Sequence, residues 1–297
     1  MNVLEIHHLT KKFGDFVAVD NISLSIEEGE IFGLLGANGA GKSTTIHMIS
    51  SLLRSNEGEI TILGKNIAKH RKFAKMNIGI VPQDLAIYED LTAYENVKFF
   101  AGLYGLRGAH LHNRVEEALQ FVGLSDKHKS FPKNFSGGMK RRLNIACAIA
   151  HRPKLIIMDE PTVGIDPHSR NYILESVKKL NAMGCTIIYT SHYMEEVEEI
   201  CTRIAIVDHG KIIAEGTKEQ LKSIITNTKD IQVVLKSAEN IDIGELKTIS
   251  GVEAAVLEDN TIKINSDAGV NNLNQIMEKL MTHGAEIRSL EDKAPNL

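Results

Sequence analysis

The sequence predicts an α/β fold with a helical insertion, followed by a small α+β domain of the ferredoxin-like type. Through most of residues 1–225, apolar runs of strand length alternate with helical patterns, which indicates a parallel sheet covered by helices. Helical periodicity replaces this alternation between about residues 88 and 152. From residue 226 onward the order is linker, strand, helix, strand, strand, helix, strand, as in a split βαβ arrangement. The chain of 297 residues is therefore predicted to form two domains, 1–225 and 226–297.

Short runs rich in aliphatic and β-branched residues predict the strands of the first domain. The run 155–158 is apolar throughout, which suits a central parallel strand that is buried on both faces. The last two runs flank Asp208-His209-Gly210, which predicts a hairpin turn. In chain order the runs are 22–26, 31–35, 59–63, 78–81, 155–158, 186–190, 204–207 and 211–214.

Apolar residues at helical spacing predict the helices. One helix follows the run 31–35 and continues to about Leu53, and the insertion ends with a helix that carries Lys140, Arg141 and Arg142. We interpret these three basic residues as a solvated helix face, because a nucleic-acid site is the less common use of such a run. In the second domain, the polar segment 226–230 predicts a linker and a later helix has one apolar face, made of Leu273, Ile276, Met277 and Leu280.

Composition restricts the function classes. The net charge of −4 and the pI near 6.3 argue against nucleic acid as the main partner. No apolar stretch approaches the roughly 18 residues that span a bilayer, and the first residues do not resemble a signal peptide. Cys147, Cys185 and Cys201 are widely spaced within apolar or helical sequence, which predicts reduced core thiols. We therefore expect a cytoplasmic protein that does not itself cross a membrane.

A glycine-rich loop between the predicted strand 31–35 and the next helix carries the clearest chemical signal. In this setting the backbone N–H groups of the loop and the N-terminus of the helix converge on one anionic ligand. Lys42 would reach the β- and γ-phosphates, and the Ser43 hydroxyl would bind Mg²⁺. The sequence therefore predicts a P-loop NTPase core. The loop residues are Gly36, Ala37, Asn38, Gly39, Ala40, Gly41, Lys42, Ser43 and Thr44.

An acidic pair ends the apolar strand 155–158. Asp159 would hold Mg²⁺ through its water shell, and Glu160 would polarise the attacking water, because an acid at this position lies beside the phosphate loop in a doubly wound sheet. The alternative is a pair of acids that caps a strand end without chemistry. Pro161 prevents the strand from continuing regularly.

The order of motifs resembles one superfamily. The phosphate loop is followed by Gln83, Ser136-Gly137-Gly138, Asp159-Glu160, Gly164-Ile165-Asp166 and His192. Over residues 3 to about 217, the chain resembles the ATP-binding subunit of ATP-binding cassette (ABC) transporters. This resemblance implies the ABC type of P-loop fold, with ATP and Mg²⁺ bound at the loop.

The resemblance also implies roles for residues around the nucleotide. Phe13 would stack on adenine, with Phe16 as a rival. Gln83 would contact Mg²⁺ and report the conformation of a permease. His192 would hold the γ-phosphate.

Other motif residues are implied to serve a second subunit. Ser136, Gly137 and Gly138 would cap the γ-phosphate that the second subunit binds, and Asp166 would lie at the boundary between the subunits. The family most often has Gln where this chain has Met139, but the phosphate contacts come from hydroxyl and backbone groups.

Three alternatives for the function remain open. The segments 136–142 and 189–196 look most like exporters of drugs, antibiotics or lipids. This resemblance implies an ATP hydrolase at the inner face of the cell membrane, which pairs with a separate permease and with a second ATPase subunit that we expect to be identical. A soluble ABC-type ATPase of translation, DNA repair or iron–sulfur assembly is the second reading, and an importer ATPase is the third. For the domain after residue 226, packing against the dimer or permease competes with sensing of a small ligand.

Overall fold

The computed structural model describes residues 1–225, 228–236, 243–267, 270–283 and 285–293. The chain forms two compact units, Met1–Thr217 and Lys218–Leu297. Among the described residues, no helix has both the length and the apolar character needed to span a bilayer.

Two sheets form the framework of the first unit. The smaller sheet has four strands in the order β2-β1-β4-β5, and the larger has six in the order β10-β9-β3-β8-β7-β6. The strands are β1 (Asn2–Phe13), β2 (Phe16–Glu27), β3 (Ile31–Leu35), β4 (Glu57–Ile62), β5 (Lys65–Asn66), β6 (Ile78–Val81), β7 (Leu155–Asp159), β8 (Thr186–Ser191), β9 (Arg203–Asp208) and β10 (Lys211–Gly216).

The central strands of the larger sheet run parallel and are buried on both faces. Every residue of β3, β7 and β8 is buried, as their continuous apolar sequences predict. The register pairs Asp159 with Thr190 and Leu35 with Ser191, so the carboxyl ends of these strands meet at one edge. The phosphate loop, the acidic pair and His192, which follows β8, all lie at this edge.

A hydrophobic core joins the two sheets of the first unit. It includes Ile6 and Ile62 from the smaller sheet and Leu34, Ile157 and Ile188 from the larger one. Burial of each such side chain contributes about 1.5–3 kcal/mol relative to exposure, so this core stabilises the framework that carries the edge.

Seven helices complete the described part of the first unit, and three of them, α3, α4 and α5, pack together as the predicted insertion. Thr92 and Glu95 form a capping box at the start of α3. The helices are α1 (Lys42–Ile49), α2 (Arg71–Asn77), α3 (Ala93–Leu103), α4 (Gly108–Phe121), α5 (Gly137–Ile149), α6 (Pro167–Ala182) and α7 (Met194–Ile200).

Two local predictions for the first unit were wrong. The helix α1 ends at Ile49 and does not reach Leu53, because Ser51 adopts a left-handed conformation with φ of 58° that the helix cannot accommodate. Arg141 is buried and does not lie on a solvated face. Of the three cysteines, which are all free thiols, only Cys147 is fully buried.

The second unit contains one antiparallel sheet in the order β12-β13-β11-β14. Its core includes Ile231, Ile262, Ile264, Ile276 and Leu280, so the predicted helix face does pack inward. The elements are α8 (Lys218–Ile225), β11 (Thr228–Leu235), α9 (Ile243–Leu246), β12 (Val252–Glu258), β13 (Thr261–Asp267), α10 (Leu273–Thr282) and β14 (Ile287–Lys293).

The predicted linker over 226–230 is wrong for its last three residues. Thr228 begins β11, and this strand pairs with β13 from its first residue. Ladder hydrogen bonds involve only the backbone, so a polar run can form a strand when neighbouring strands are available. Thr226 and Asn227 lie outside the described residues.

Candidate nucleotide-binding and hydrolysis site

The glycine-rich loop connects β3 to α1 at the carboxyl edge of the larger sheet. Gly41 caps α1 with φ of 106°, a conformation that L side chains rarely adopt. A Cβ at Gly36 would overlap the Val207 carbonyl, and the Gly210 N–H donates to the Ala40 carbonyl over 2.9 Å. The β9–β10 hairpin therefore supports the loop from behind, and only small residues fit between them.

Lys42 lies almost completely buried at the start of α1. Its Nζ donates hydrogen bonds to the carbonyls of Gly36, over 2.6 Å, and Ala37, over 3.1 Å. The same Nζ lies 3.6 Å from Oε1 of Glu160. The Lys42 ammonium group is thus held against the backbone of the loop, close to the Glu160 carboxylate.

A cavity of about 400 Å³ lies in front of the loop. It is lined by every residue between 38 and 44 except Ala40, and also by Gln83 and Glu160. The structure thus gathers most of the residues predicted to bind the nucleotide around one space. Gly36 and Ala40 instead contact the β9–β10 hairpin, and the Ala37 carbonyl accepts a hydrogen bond from Lys42.

Two aromatic side chains also line this cavity. Phe13 is 50% exposed and Phe16 is 64% exposed, and the Nζ of Lys11 lies 5.1 Å from the centroid of the Phe13 ring. Ala18 lines the cavity beside them. It was missed in the sequence, because a small residue in a strand gives no indication of a binding role. Both phenylalanines are available to stack on a planar base, so the geometry leaves the rivalry between them open.

The acidic pair is organised by a residue that the sequence motifs did not reveal. The Thr190 hydroxyl donates a hydrogen bond of 2.7 Å to Oδ1 of Asp159 and accepts one of 2.8 Å from the Glu160 N–H. Both acids are buried. Thr190 could have been found only from the register of β7 with β8, which pairs it with Asp159.

Glu160 follows β7 directly and has φ of 45°, in the left-handed region. Its carboxylate lies between two nitrogen groups: Oε1 faces Nζ of Lys42, and Oε2 lies 3.4 Å from Nδ1 of His192. His192 follows β8 and is exposed. The predicted base and the predicted γ-phosphate ligand are therefore neighbours just beyond the ends of two adjacent strands.

Gln83 follows β6, and Arg141 of α5 holds its backbone. The Arg141 guanidinium donates to the carbonyls of Pro82, over 2.7 Å, and Gln83, over 2.6 Å. Burial lowers the pKa of Arg141. The Gln83 segment is thus tied to the helical insertion, while its side chain faces the cavity.

The structure does not bring Ser136, Gly137, Gly138 or Asp166 into this cavity. Ser136 caps α5 by accepting a hydrogen bond of 3.2 Å from the Met139 N–H, and Asp166 caps α6 by accepting one of 3.0 Å from the Ser169 N–H. Hydrogen bonds from Ser169 lower the pKa of Asp166. A Cβ at Gly138 would overlap the Ser169 hydroxyl, so the two helix starts are in contact.

Comparisons with known proteins agree with this arrangement. Residues 19–163 match the family model described as ABC transporter. The chain is 44% identical to the linearmycin resistance ATP-binding protein LnrL of Bacillus subtilis (strain 168), over 99% of this chain and 96% of that protein. It is 41% identical to the Nod factor export ATP-binding protein I of Sinorhizobium fredii, over 73% of this chain and 64% of that protein.

A solved structure is also similar. The dimeric post-hydrolysis state of the ATP-binding cassette MJ0796, bound to ADP and Pi, superposes with a TM-score of 0.65 at 29% identity. The match covers 72% of this chain and 98% of that one. From its motifs, its fold and these relatives, the chain belongs to the ABC transporter family, as an ATP-binding and ATP-hydrolysing subunit similar to those of exporters.

Proposed function

We propose that two copies of this chain close over ATP, hydrolyse it with Glu160 as the base, and thereby drive export through a separate permease. The observation that carries the proposal is the position of the Glu160 carboxylate, between Lys42 and His192 at the edge of the loop cavity. A base must lie within hydrogen-bond reach of the water it activates, and the γ-phosphate must lie near a cation.

The side chains divide the chemistry among them. Lys42 neutralises the β- and γ-phosphates, and the loop N–H groups bind their oxygens. His192 holds the γ-phosphate, while Glu160 orients and deprotonates the attacking water. Phe13 stacks on the adenine.

Mg²⁺ is the metal that fits the donors of this site. Ser43 and Gln83 offer a hydroxyl and an amide oxygen to the same cavity, and Asp159 ends β7 immediately before Glu160, which also lines it. Mg²⁺ prefers oxygen ligands, and it is commonly bound through few protein groups together with phosphates and water. When bound, it would neutralise charge on the phosphates.

The second half of each site would come from another subunit. Ser136, Gly137, Gly138 and Asp166 do not line the cavity of their own chain, although they match the family motif. The N-terminus of α5 is suited to bind a phosphate, because its N–H groups and its dipole favour negative charge. The dimeric form of the related MJ0796 cassette supports this proposal, and we propose an identical second chain.

The transported substrate is proposed to be a drug, an antibiotic or a lipid. The relatives from Bacillus subtilis and Sinorhizobium fredii are named for linearmycin resistance and Nod factor export, respectively. We propose that the chain works at the inner face of the cell membrane, where its ATP-driven conformational change would be transmitted to a permease.

The second unit is proposed to be a ferredoxin-like accessory domain that packs against the dimer or the permease. Its sheet order β12-β13-β11-β14, with helices between the strands, supports this class. We place the domains at 1–225 and 226–297, with the helical insertion over about 88–152. Sensing of a small ligand is the competing role.

The test is Glu160→Gln, which keeps the shape of the side chain and removes the base. We expect ATP hydrolysis to slow by about 10²- to 10⁴-fold, with ATP binding retained and a dimer trapped in Mg-ATP. Exposed Glu175→Gln is the matched control and should behave like the parent. Light scattering reports the dimer. Hydrolysis by Glu160→Gln at the parental rate, or a monomer in saturating Mg-ATP, would contradict the proposal.

A further inference from the structure

A completely buried carboxylate, Glu196 on α7, lies behind the proposed hydrolysis site. Its Oε2 accepts hydrogen bonds from three hydroxyl groups: Thr162 at 2.8 Å, Tyr189 at 2.8 Å and Ser191 at 3.1 Å. Its Oε1 lies 2.7 Å from Nε of Arg170 on α6. Glu196 lies in the exporter-like segment 189–196, but no role was predicted for it from the sequence.

The partners of Glu196 come from the segments that carry the proposed catalytic groups. Thr162 lies two residues after Glu160, and Ser191 immediately precedes His192. Arg170 lies one turn after Asp166, the cap of α6. One carboxylate therefore connects the backbone near the base, near the γ-phosphate ligand and near the predicted subunit boundary.

Hydrogen bonds connect both sequence neighbours of His192 to Glu196. The Ser191 hydroxyl donates to Glu196 and accepts a hydrogen bond of 2.9 Å from the Tyr193 N–H. Residues on both sides of His192 thus depend on the same carboxylate, directly or through Ser191. The Arg170 guanidinium also lies 5.5 Å from the centroid of the Tyr193 ring.

The cluster is chemically suited to keep Glu196 in one place. Burial of a charged group is costly unless it is paired and hydrogen-bonded, and Glu196 has both kinds of partner. Burial and the neighbouring carboxylate raise the pKa of Tyr189, so its phenol remains a donor. Loss of the negative charge would leave Arg170 without its anionic partner and would give the three hydroxyl donors a weaker, neutral acceptor.

We propose that Glu196 is a positioning residue for ATP hydrolysis, which acts by holding Glu160 and His192 in register across β7 and β8. The inference rests on the proposed roles of those two residues. Displacement of a catalytic group by about 1 Å costs up to about 10²-fold in rate, so a network that fixes both segments has a direct effect on hydrolysis.

The experiment compares Glu196→Gln with Glu195→Gln in the full chain. Both changes remove one negative charge from α7, but Glu195 is exposed. For Glu196→Gln we expect kcat to fall about 10- to 100-fold, while KM and the Kd for a fluorescent ATP analogue stay within about threefold of the parent. Glu195→Gln should leave all three within about twofold.

A second pair of variants covers the case in which Glu196→Gln does not fold. Ser191→Ala removes the hydroxyl next to His192 and should lower kcat with little change in Kd. Ser191→Thr keeps a hydroxyl and should restore most of the rate. Parental kcat in a folded Glu196→Gln protein, or equal kcat in Ser191→Ala and Ser191→Thr, would overturn the proposal.

The double variant Glu160→Gln with Glu196→Gln separates positioning from general stability. Because Glu196 is proposed to act through both Glu160 and His192, the loss in the double variant should be smaller than the product of the two single losses. Losses that multiply fully would overturn the positioning of Glu160. A parental rate in Glu160→Gln alone would instead contradict the proposed function, so the two failures are distinguishable.

Discussion

The Thr190 hydroxyl lies 2.7 Å from Oδ1 of Asp159, and the hydrogen bond between them crosses from β8 to β7 at the edge of the sheet. The same hydroxyl accepts the Glu160 N–H, so it connects two acids with different proposed roles. One threonine therefore organises the point at which the proposed metal ligand and the proposed base meet.

Replacement of Thr190 by valine should destabilise this edge. The shape is nearly unchanged, but the buried Glu160 N–H loses its acceptor and the Asp159 carboxylate loses a donor. We expect the free energy of unfolding to fall by about 1–3 kcal/mol, measured by urea denaturation, and kcat to fall with it. Thr190→Ser keeps the hydroxyl and should lose much less. Equal stability of the two variants would show that the hydroxyl contributes nothing.

Substitution of the two phenylalanines should decide which one binds the base. Phe13→Ala is expected to weaken ATP binding by about 1–3 kcal/mol, the usual value for a base stacked on an aromatic ring. Phe16→Ala should weaken it less. Equilibrium titration with a fluorescent ATP analogue measures both, and GTP serves as a second ligand because stacking is tolerant of the base. The opposite order would assign the stacking role to Phe16.

Gly138→Ala should separate ATP binding from hydrolysis. The added methyl group overlaps the Ser169 hydroxyl and pushes α5 away from α6, and neither residue lines the loop cavity. We expect near-parental Kd for ATP, a loss of hydrolysis of at least about tenfold, and less dimer in Mg-ATP. The overlap also involves the Ser169 Cβ, so adding Ser169→Gly should recover part of the activity. No recovery would mean that Gly138 is needed for another reason.

His151 should make stability depend on pH. Its ring stacks on Tyr104 with centroids 3.4 Å apart, and Nε2 donates to the Ile78 carbonyl over 3.1 Å. Burial lowers the pKa of His151 from 6.5 to about 4. The unfolded chain therefore binds the proton more readily, and the stability from the neutral ring is present above pH 6.5 and is lost as the pH falls toward 4.

The measurement is the free energy of unfolding at pH 7 and pH 5. The His151 contribution should decrease by about 2 kcal/mol between these values, and His151→Phe should remove that part of the pH dependence. His209→Gln, at the exposed β9–β10 turn, is the control and should leave it unchanged. Parallel curves for the parent and His151→Phe would contradict the assignment.

Linear motifs revealed the parts of the site that are contiguous in the chain. The loop 36–44 and the pair Asp159-Glu160 could be predicted because a strand places its neighbours at a known edge. Thr190, Arg141 and Glu196 could not, because their roles depend on strand register and on which helix packs against which strand. The local sequence around a buried arginine can be the same as that around a solvated one, because the residues that bury it lie far away in the chain.

The fold was also predicted only in part. The central strands were evident from their apolar runs, but the end of α1 at Ile49 depends on the backbone of Ser51, and the start of β11 at Thr228 depends on partner strands far along the chain.

The backbone of Glu160 has φ of 45°, so the residue that would be most stable at this position differs from the residue that is proposed to act in hydrolysis. Glycine and asparagine enter this region of conformational space more easily than glutamate does, so selection for thermostability alone should favour them here. Either replacement discards the carboxylate. Laboratory evolution of a more thermostable variant should therefore be screened for ATP hydrolysis at every round, since the simplest stabilising change at residue 160 would remove the proposed base.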